Sequence, residues 1–105
     1  MTIRLSRQAR RDLDEIRRYT VETWGREQWL SYYEGLVGTF DRIAADPDGG
    51  RDRSLFAPGL RSLSYRRHLV FFARIAVAGD APVILRIVHQ RRNLPALVYF
   101  EDIGG

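Results

Sequence analysis

The sequence predicts an α+β fold: an N-terminal strand, then an antiparallel helical hairpin packed on one face of a small, mostly antiparallel β-sheet. Three observations predict it. Apolar residues recur at helical spacing in two successive segments separated only by Gly25. The cluster Asp46-Pro47-Asp48-Gly49-Gly50 then stops the helical half. After Gly59 the chain becomes a series of β-branched and aromatic runs divided by short turns.

Thr2 to Leu5 is β-compatible and reads as the first strand. Ser6 can cap a helix whose apolar stripe is Ala9, Leu13, Ile16, Thr20 and Trp24, with Arg10, Arg11, Asp14, Arg17 and Arg18 on the solvated face. Gly25 ends it, because glycine enters left-handed backbone without strain. A second helix carries Trp29, Tyr33, Leu36, Phe40 and Ile43 on one stripe. With almost no linker, the two should form a hairpin with Trp24 and Trp29 packed in it. Arg51 to Gly59 is a polar, turn-rich loop. Leu60 to Arg67 alternates and places Arg61, Leu63, Tyr65 and Arg67 on one face.

His68 to Val77 is a β-rich run, and Ala78-Gly79-Asp80-Ala81 a turn into a last strand from Pro82 to His89. In that strand Val83, Leu85 and Ile87 share one side, and Ile84, Arg86 and Val88 the other. Apolar residues on both sides indicate an interior strand, in which Arg86 requires a partner. Pro95 to Phe100 fits either a short helix or an added strand.

At 105 residues the chain is expected to form one domain, 1–105, with one two-layered core. There is no cysteine, so disulfides and thiolate metal sites are excluded, and two histidines alone argue against a metal site. No cofactor motif is present. No apolar run approaches the roughly 20 residues that span a bilayer. Met1 to Ser6 lacks the apolar core of a signal peptide, so a cytoplasmic protein without membrane contact is expected. All 17 basic residues are arginine, and the net charge is +4. Residues 51–92 hold nine arginines against Asp52 and Asp80, a local excess of +7. Such clustering suits an anionic partner, either nucleic acid or an acidic protein segment.

The order and spacing of several motifs resemble the RelE/ParE superfamily of toxins from bacterial type II toxin–antitoxin modules, most closely the ParE branch. In the first helix the motif is Ala9-x3-Leu13-x2-Ile16-x2-Tyr19, followed by Trp24-Gly25. In the second it is Tyr33-x2-Leu36-x3-Phe40-x2-Ile43, then Pro47 and Gly50-Arg51. The sheet half supplies Gly59-Leu60-Arg61, His68-Leu69-Val70-Phe71-Phe72, Ile84 to His89, and Arg92-Asn93-Leu94. Three positions depart from the common pattern: Trp29 where a small residue is usual, Phe72 for a tyrosine, and Asn93 for an aspartate.

The resemblance implies two readings. ParE-like toxins bind DNA gyrase and block replication, which needs a recognition surface rather than an active site. On this reading there are no catalytic residues. The target contact is expected at Arg91, Arg92, Leu97, Tyr99 and Phe100. RelE-like toxins instead cleave messenger RNA on the ribosome. The chemistry needs a base, an acid and cations for the phosphorane. Arg61, Arg67, Arg86 and His89 are the candidates, with His68 a second proton carrier. That set is incomplete: no acid lies in the strands from 60 to 77 or from 82 to 92 to activate a base. Guanidinium is also a poor acid or base. The resemblance further implies a ParD-like antitoxin, a ribbon-helix-helix protein whose flexible C-terminal segment folds onto the toxin. Its contacts are expected at Trp29, Tyr32 and Tyr33 on the hairpin, with Tyr32 exposed in the free toxin, and at Arg61 and Arg67 on the sheet.

Overall fold

The computed structural model describes residues 3–91. Strand β1 (Arg4–Leu5) leads through Ser6 into helix α1 (Arg7–Trp24), and Gly25 alone separates α1 from α2 (Arg26–Ala45). The sheet is completed by β2 (Arg51–Asp52), β3 (Arg61–Tyr65), β4 (His68–Ile75) and β5 (Ala81–His89), with one 3-10 turn at Ala76–Ala78 before β5. The strand order is β1-β5-β4-β3-β2, parallel between β1 and β5 and antiparallel elsewhere. The expected α+β architecture is therefore the observed one.

Local chemistry explains the helix boundaries. The Ser6 hydroxyl accepts from the Ala9 N–H at 3.0 Å, closing the first turn of α1. Gly25, at φ 95° and ψ 169°, donates its N–H to the carbonyls of Thr20 and Val21 and reverses the chain at once into α2. One glycine thus does what a loop does elsewhere.

The hairpin covers one face of the sheet, where Ala9, Leu36, Phe40 and Ile43 meet Val70, Phe72, Ile84 and Ile87. Leu60, Leu69, Phe71, Val83, Leu85 and Val88 are buried on the opposite face, with Phe56 and Ala57 of the 53–60 loop packed against them. Each such apolar side chain removed from water contributes about 1.5–3 kcal/mol. The sheet is therefore apolar on both faces, and its arginines lie at strand ends, turns and edges.

Several expectations are corrected here. Arg51 and Asp52 pair with Ser62 and Arg61, so the expected loop begins with a short edge strand. β3 ends at Tyr65; Arg66 and Arg67 form a two-residue turn, with Arg66 at φ 52°. Arg67 thus leaves the face that Arg61, Leu63 and Tyr65 share. β4 stops at Ile75, two residues early.

The simple alternation expected in β5 also fails, for a definite reason. Phe71 pairs with Arg86 but Phe72 with Ile84, which leaves Leu85 as an inserted residue. Beyond this bulge the parity reverses: Val83, Leu85 and Val88 share one cluster, while Ile84 and Ile87 share the other. Ser6 stabilises the insertion, its hydroxyl donating to the Leu85 carbonyl at 2.9 Å and its N–H to the Ile84 carbonyl at 2.8 Å.

Candidate functional site: a cleft between the first helix and the edge of the last strand

Beyond Ile84 the outer edge of β5 has no strand beside it among the described residues, because β1 pairs only with Val83 and Ile84. Helix α1 runs past this edge, and Asp12 caps it. Asp12 Oδ2 accepts from the Ile87 N–H at 2.9 Å and from Arg86 Nε at 2.8 Å, and Oδ1 accepts from Arg86 Nη2 at 3.2 Å. The side chains of Arg86 and Asp12 are 15% and 10% exposed. The partner that Arg86 required is therefore a carboxylate 74 residues earlier. Asp12 was not singled out from sequence, yet its signal was present: an acid three residues after Ala9 and four before Ile16, on the buried stripe.

Past Asp12 the helix and the strand edge diverge into a cleft of about 840 Å³. Glu15, Ile16, Tyr19 and Thr20 form its α1 wall, and Trp24, Gln28 and Tyr32 its far end. Ile87, Val88 and His89 of β5 face them, beside Arg66, Arg67 and His68 of the β3–β4 turn. Tyr19 and Trp24 are 65% and 68% exposed. The expectation that Trp24 packs in the hairpin is thus incorrect: it stands one residue before the chain reverses at Gly25, at the cleft mouth. Trp29 is buried as expected, with its ring centroid 5.3 Å from that of Tyr33.

The cleft floor is a row of polar rings. His68 and His89 are paired across β4 and β5, with ring centroids 5.5 Å apart. The Tyr32 hydroxyl, reaching from α2, bonds to His68 Nδ1, and the Tyr32 ring packs edge-on against Tyr65. Tyr32 is therefore half-buried rather than exposed, because its hydroxyl has an internal partner. Burial pushes the Tyr32 phenol up to about 12, with the neighbouring Tyr65 adding to the effect. Burial pushes His68 down to about 4, helped by His89. His68 is then neutral near pH 7, and Tyr32 is the donor in their hydrogen bond.

The other named residues separate. Arg61 lies at the opposite end of β3, its Nε donating to the Gly49 carbonyl at 2.6 Å and its Nη2 to that of Gly50 at 3.3 Å. It pairs with Phe72, four residues along from the Tyr65–His68 pair, a separation of about 13 Å at strand rise. Arg67 and His89 both line the cleft, and Arg86 is held by Asp12 at the strand edge. Tyr33 is exposed on the hairpin. Arg91 is exposed just after β5; Arg92, Leu97, Tyr99 and Phe100 lie outside the described residues, as does the segment 95–100. Among the described residues no group of three His, Asp or Glu side chains is placed to hold a metal ion, and no helix is long and apolar enough to cross a membrane.

A helical hairpin on a β1-β5-β4-β3-β2 sheet, with a cleft between α1 and β5, defines a small α+β domain. Residues 3–94 match the family described as the ParE toxin of the type II toxin–antitoxin system parDE, and the chain belongs to that family. It is 37% identical over 93 residues to toxin ParE1 of Caulobacter vibrioides, covering 89% of this chain and 93% of that protein. It is 35% identical over 91 residues to toxin ParE1 of Mycobacterium tuberculosis, covering 86% and 90%. Among solved structures, a chain of the chromosomal ParDE system from P. aeruginosa superposes with a TM-score of 0.66 at 28% identity, covering 85% of this chain and 95% of that one.

Proposed function

We propose that this ParE-type toxin inhibits DNA gyrase by binding, without catalysis, in the cytoplasm. A cognate ParD-type antitoxin neutralises it by laying a flexible segment over its surface. The observation that carries the non-catalytic reading is the dispersal of the four residues a phosphodiester cleavage would recruit. Arg86 is neutralised by Asp12, and Arg61 is held by the Gly49 and Gly50 carbonyls at the far end of β3. Of these four, Arg67 and His89 remain together in the cleft, beside His68 and with Glu15 on the facing wall. Among the described residues none of Arg67, His68 and His89 hydrogen-bonds or ion-pairs with an acid, so the set falls short of the activated base, acid and charge stabilisation the reaction needs. A binding toxin needs none of these.

The gyrase contact is proposed at Arg91, Arg92 and the apolar Leu97, Tyr99 and Phe100. The antitoxin contact is proposed to include exposed Tyr33 and the Arg67 turn. Inducing the toxin in living bacteria, with DNA breaks and protein synthesis followed over the first minutes, tests the target. DNA damage with translation at first intact is expected. Prompt translation arrest with cleaved messages would show instead that Arg67 and His89 act in a nuclease. A chain ending at Asn93 that folds yet stays fully toxic would remove the contact site from the C-terminal segment.

A further inference from the structure

Helix α1 carries its positive charge on the face turned away from the sheet. At about 100° per residue, Arg7, Arg10, Arg11, Arg17 and Arg18 fall within an arc of about 120°. The buried residues Ala9, Asp12 and Thr20 lie on the other side. All five arginines are exposed. Among the described residues only Arg17 of the five has an acid within ion-pair distance, Asp14 at 3.8 Å. Asp12, which in sequence offsets one of them, is taken up by Arg86. The placement also opposes the helix dipole, since the first turn of α1 holds no acid and carries Arg7 and Arg10. A cation at a helix N-terminus is destabilising, whereas an anion there is stabilised. A local conflict of this kind, on a surface with no packing role, is relieved by a bound anion.

We propose that this arginine face of α1 binds the phosphate backbone of duplex DNA. This ligand is independent of the gyrase target, since the toxin alone presents the face. The planar fork of arginine matches phosphate oxygens. Arg7 to Arg18 spans about 16 Å at helical rise, enough to reach from one backbone to the other across a major groove about 12 Å wide. Between Arg7 and Arg18 no large apolar side chain is exposed; on α1 these begin at Tyr19. A protein partner needs such an anchor at the centre of its contact, and a membrane needs apolar groups to insert. The unstacked bases of a single strand need aromatic platforms, which the arc also lacks. Duplex phosphates need only the cations.

Fluorescence anisotropy tests it: an end-labelled duplex DNA of about 20 base pairs is titrated with the purified full-length toxin across about 50–200 mM salt. The four arginines without an acid predict a slope of log affinity against log salt of about −3 to −4. Arg7→Gln/Arg11→Gln should bind at least about tenfold more weakly at the low-salt end and flatten the slope by about two. It should fold at least as stably as the unmutated chain, because two cations leave the positive end of the helix. Arg26→Gln/Arg42→Gln removes the same charge from exposed positions of α2 and should keep the affinity within about threefold. Equal losses in the two double variants overturn the proposal, since binding would then follow net charge alone. No binding by the unmutated toxin at about 50 mM salt overturns it. So does a duplex RNA or a polyglutamate that competes as well as duplex DNA. If Arg7→Gln/Arg11→Gln does not fold, NMR spectra of the unmutated toxin decide. Duplex DNA should then shift the amide signals of residues 7–18, and shifts centred elsewhere overturn the proposal.

Discussion

Replacing Asp12 with alanine tests the interaction that ties α1 to the sheet edge. Asp12 is the shared acceptor of the Arg86 guanidinium and the Ile87 N–H. Its removal leaves a guanidinium whose side chain is 15% exposed without a counter-charge and an edge N–H without an acceptor. Breaking one side of a buried ion pair costs about 3–5 kcal/mol, because the remaining charge stays desolvated. A domain of this size has roughly 5–15 kcal/mol in total. At about 4–8 °C per kcal/mol the melting temperature should fall by about 12 °C or more. Urea unfolding followed by tryptophan fluorescence measures the loss directly, with an unchanged m-value showing that both end states are preserved. Removing Arg86 as well, in Asp12→Ala/Arg86→Ala, should recover about 1–3 kcal/mol of the sum of the single losses. A single-mutant cost below about 1 kcal/mol would refute the reasoning, since that is the worth of a solvent-exposed pair.

Three further outcomes are expected. With His68 lowered from 6.5 to about 4, the unfolded chain takes up its proton first, so this residue's contribution to stability is complete above pH 6.5 and declines as pH falls toward 4. Melting temperatures across that range, compared with those of His68→Gln, should show the steeper acid loss in the unmutated chain. Gly25→Ala should cost about 1–3 kcal/mol in chemical denaturation, because φ 95° with ψ 169° is open only to glycine and an added Cβ meets nothing within 4 Å, so the penalty is purely that of the backbone. Gly35→Ala drives a methyl group into the Tyr65 ring and hydroxyl. It should cost about 1–3 kcal/mol and disturb the aromatic signals of Tyr32 and Tyr65 in NMR spectra.

The fold class and most element positions were legible because they depend on local chemistry. Helical periodicity, the Ser6 cap, the Gly25 reversal and the Asp46–Gly50 stop act within a few residues of themselves. The candidate site was legible only in its ingredients. Arg67, His68 and His89 were singled out and do line the cleft, whereas Arg61 is placed elsewhere. Of the exposed aromatics at its mouth, Trp24 read in sequence as helix packing, and Tyr19 only as part of the family motif.

What the sequence by itself determined was the set of amphipathic elements and their order, since a spacing of 3.6 or 2 residues is written in the chain. Tertiary structure decided the rest. The bulge at Leu85 reverses the faces of β5, and no local rule marks it, because Ser6, 79 residues earlier, supplies the group that bonds the Leu85 carbonyl. Arg86 finds Asp12 across 74 residues, and Tyr32 finds His68 across 36. In each case a polar group that must be buried is matched only after packing has brought a distant partner within hydrogen-bond reach, and that match sets which arginines and rings remain free to meet a partner.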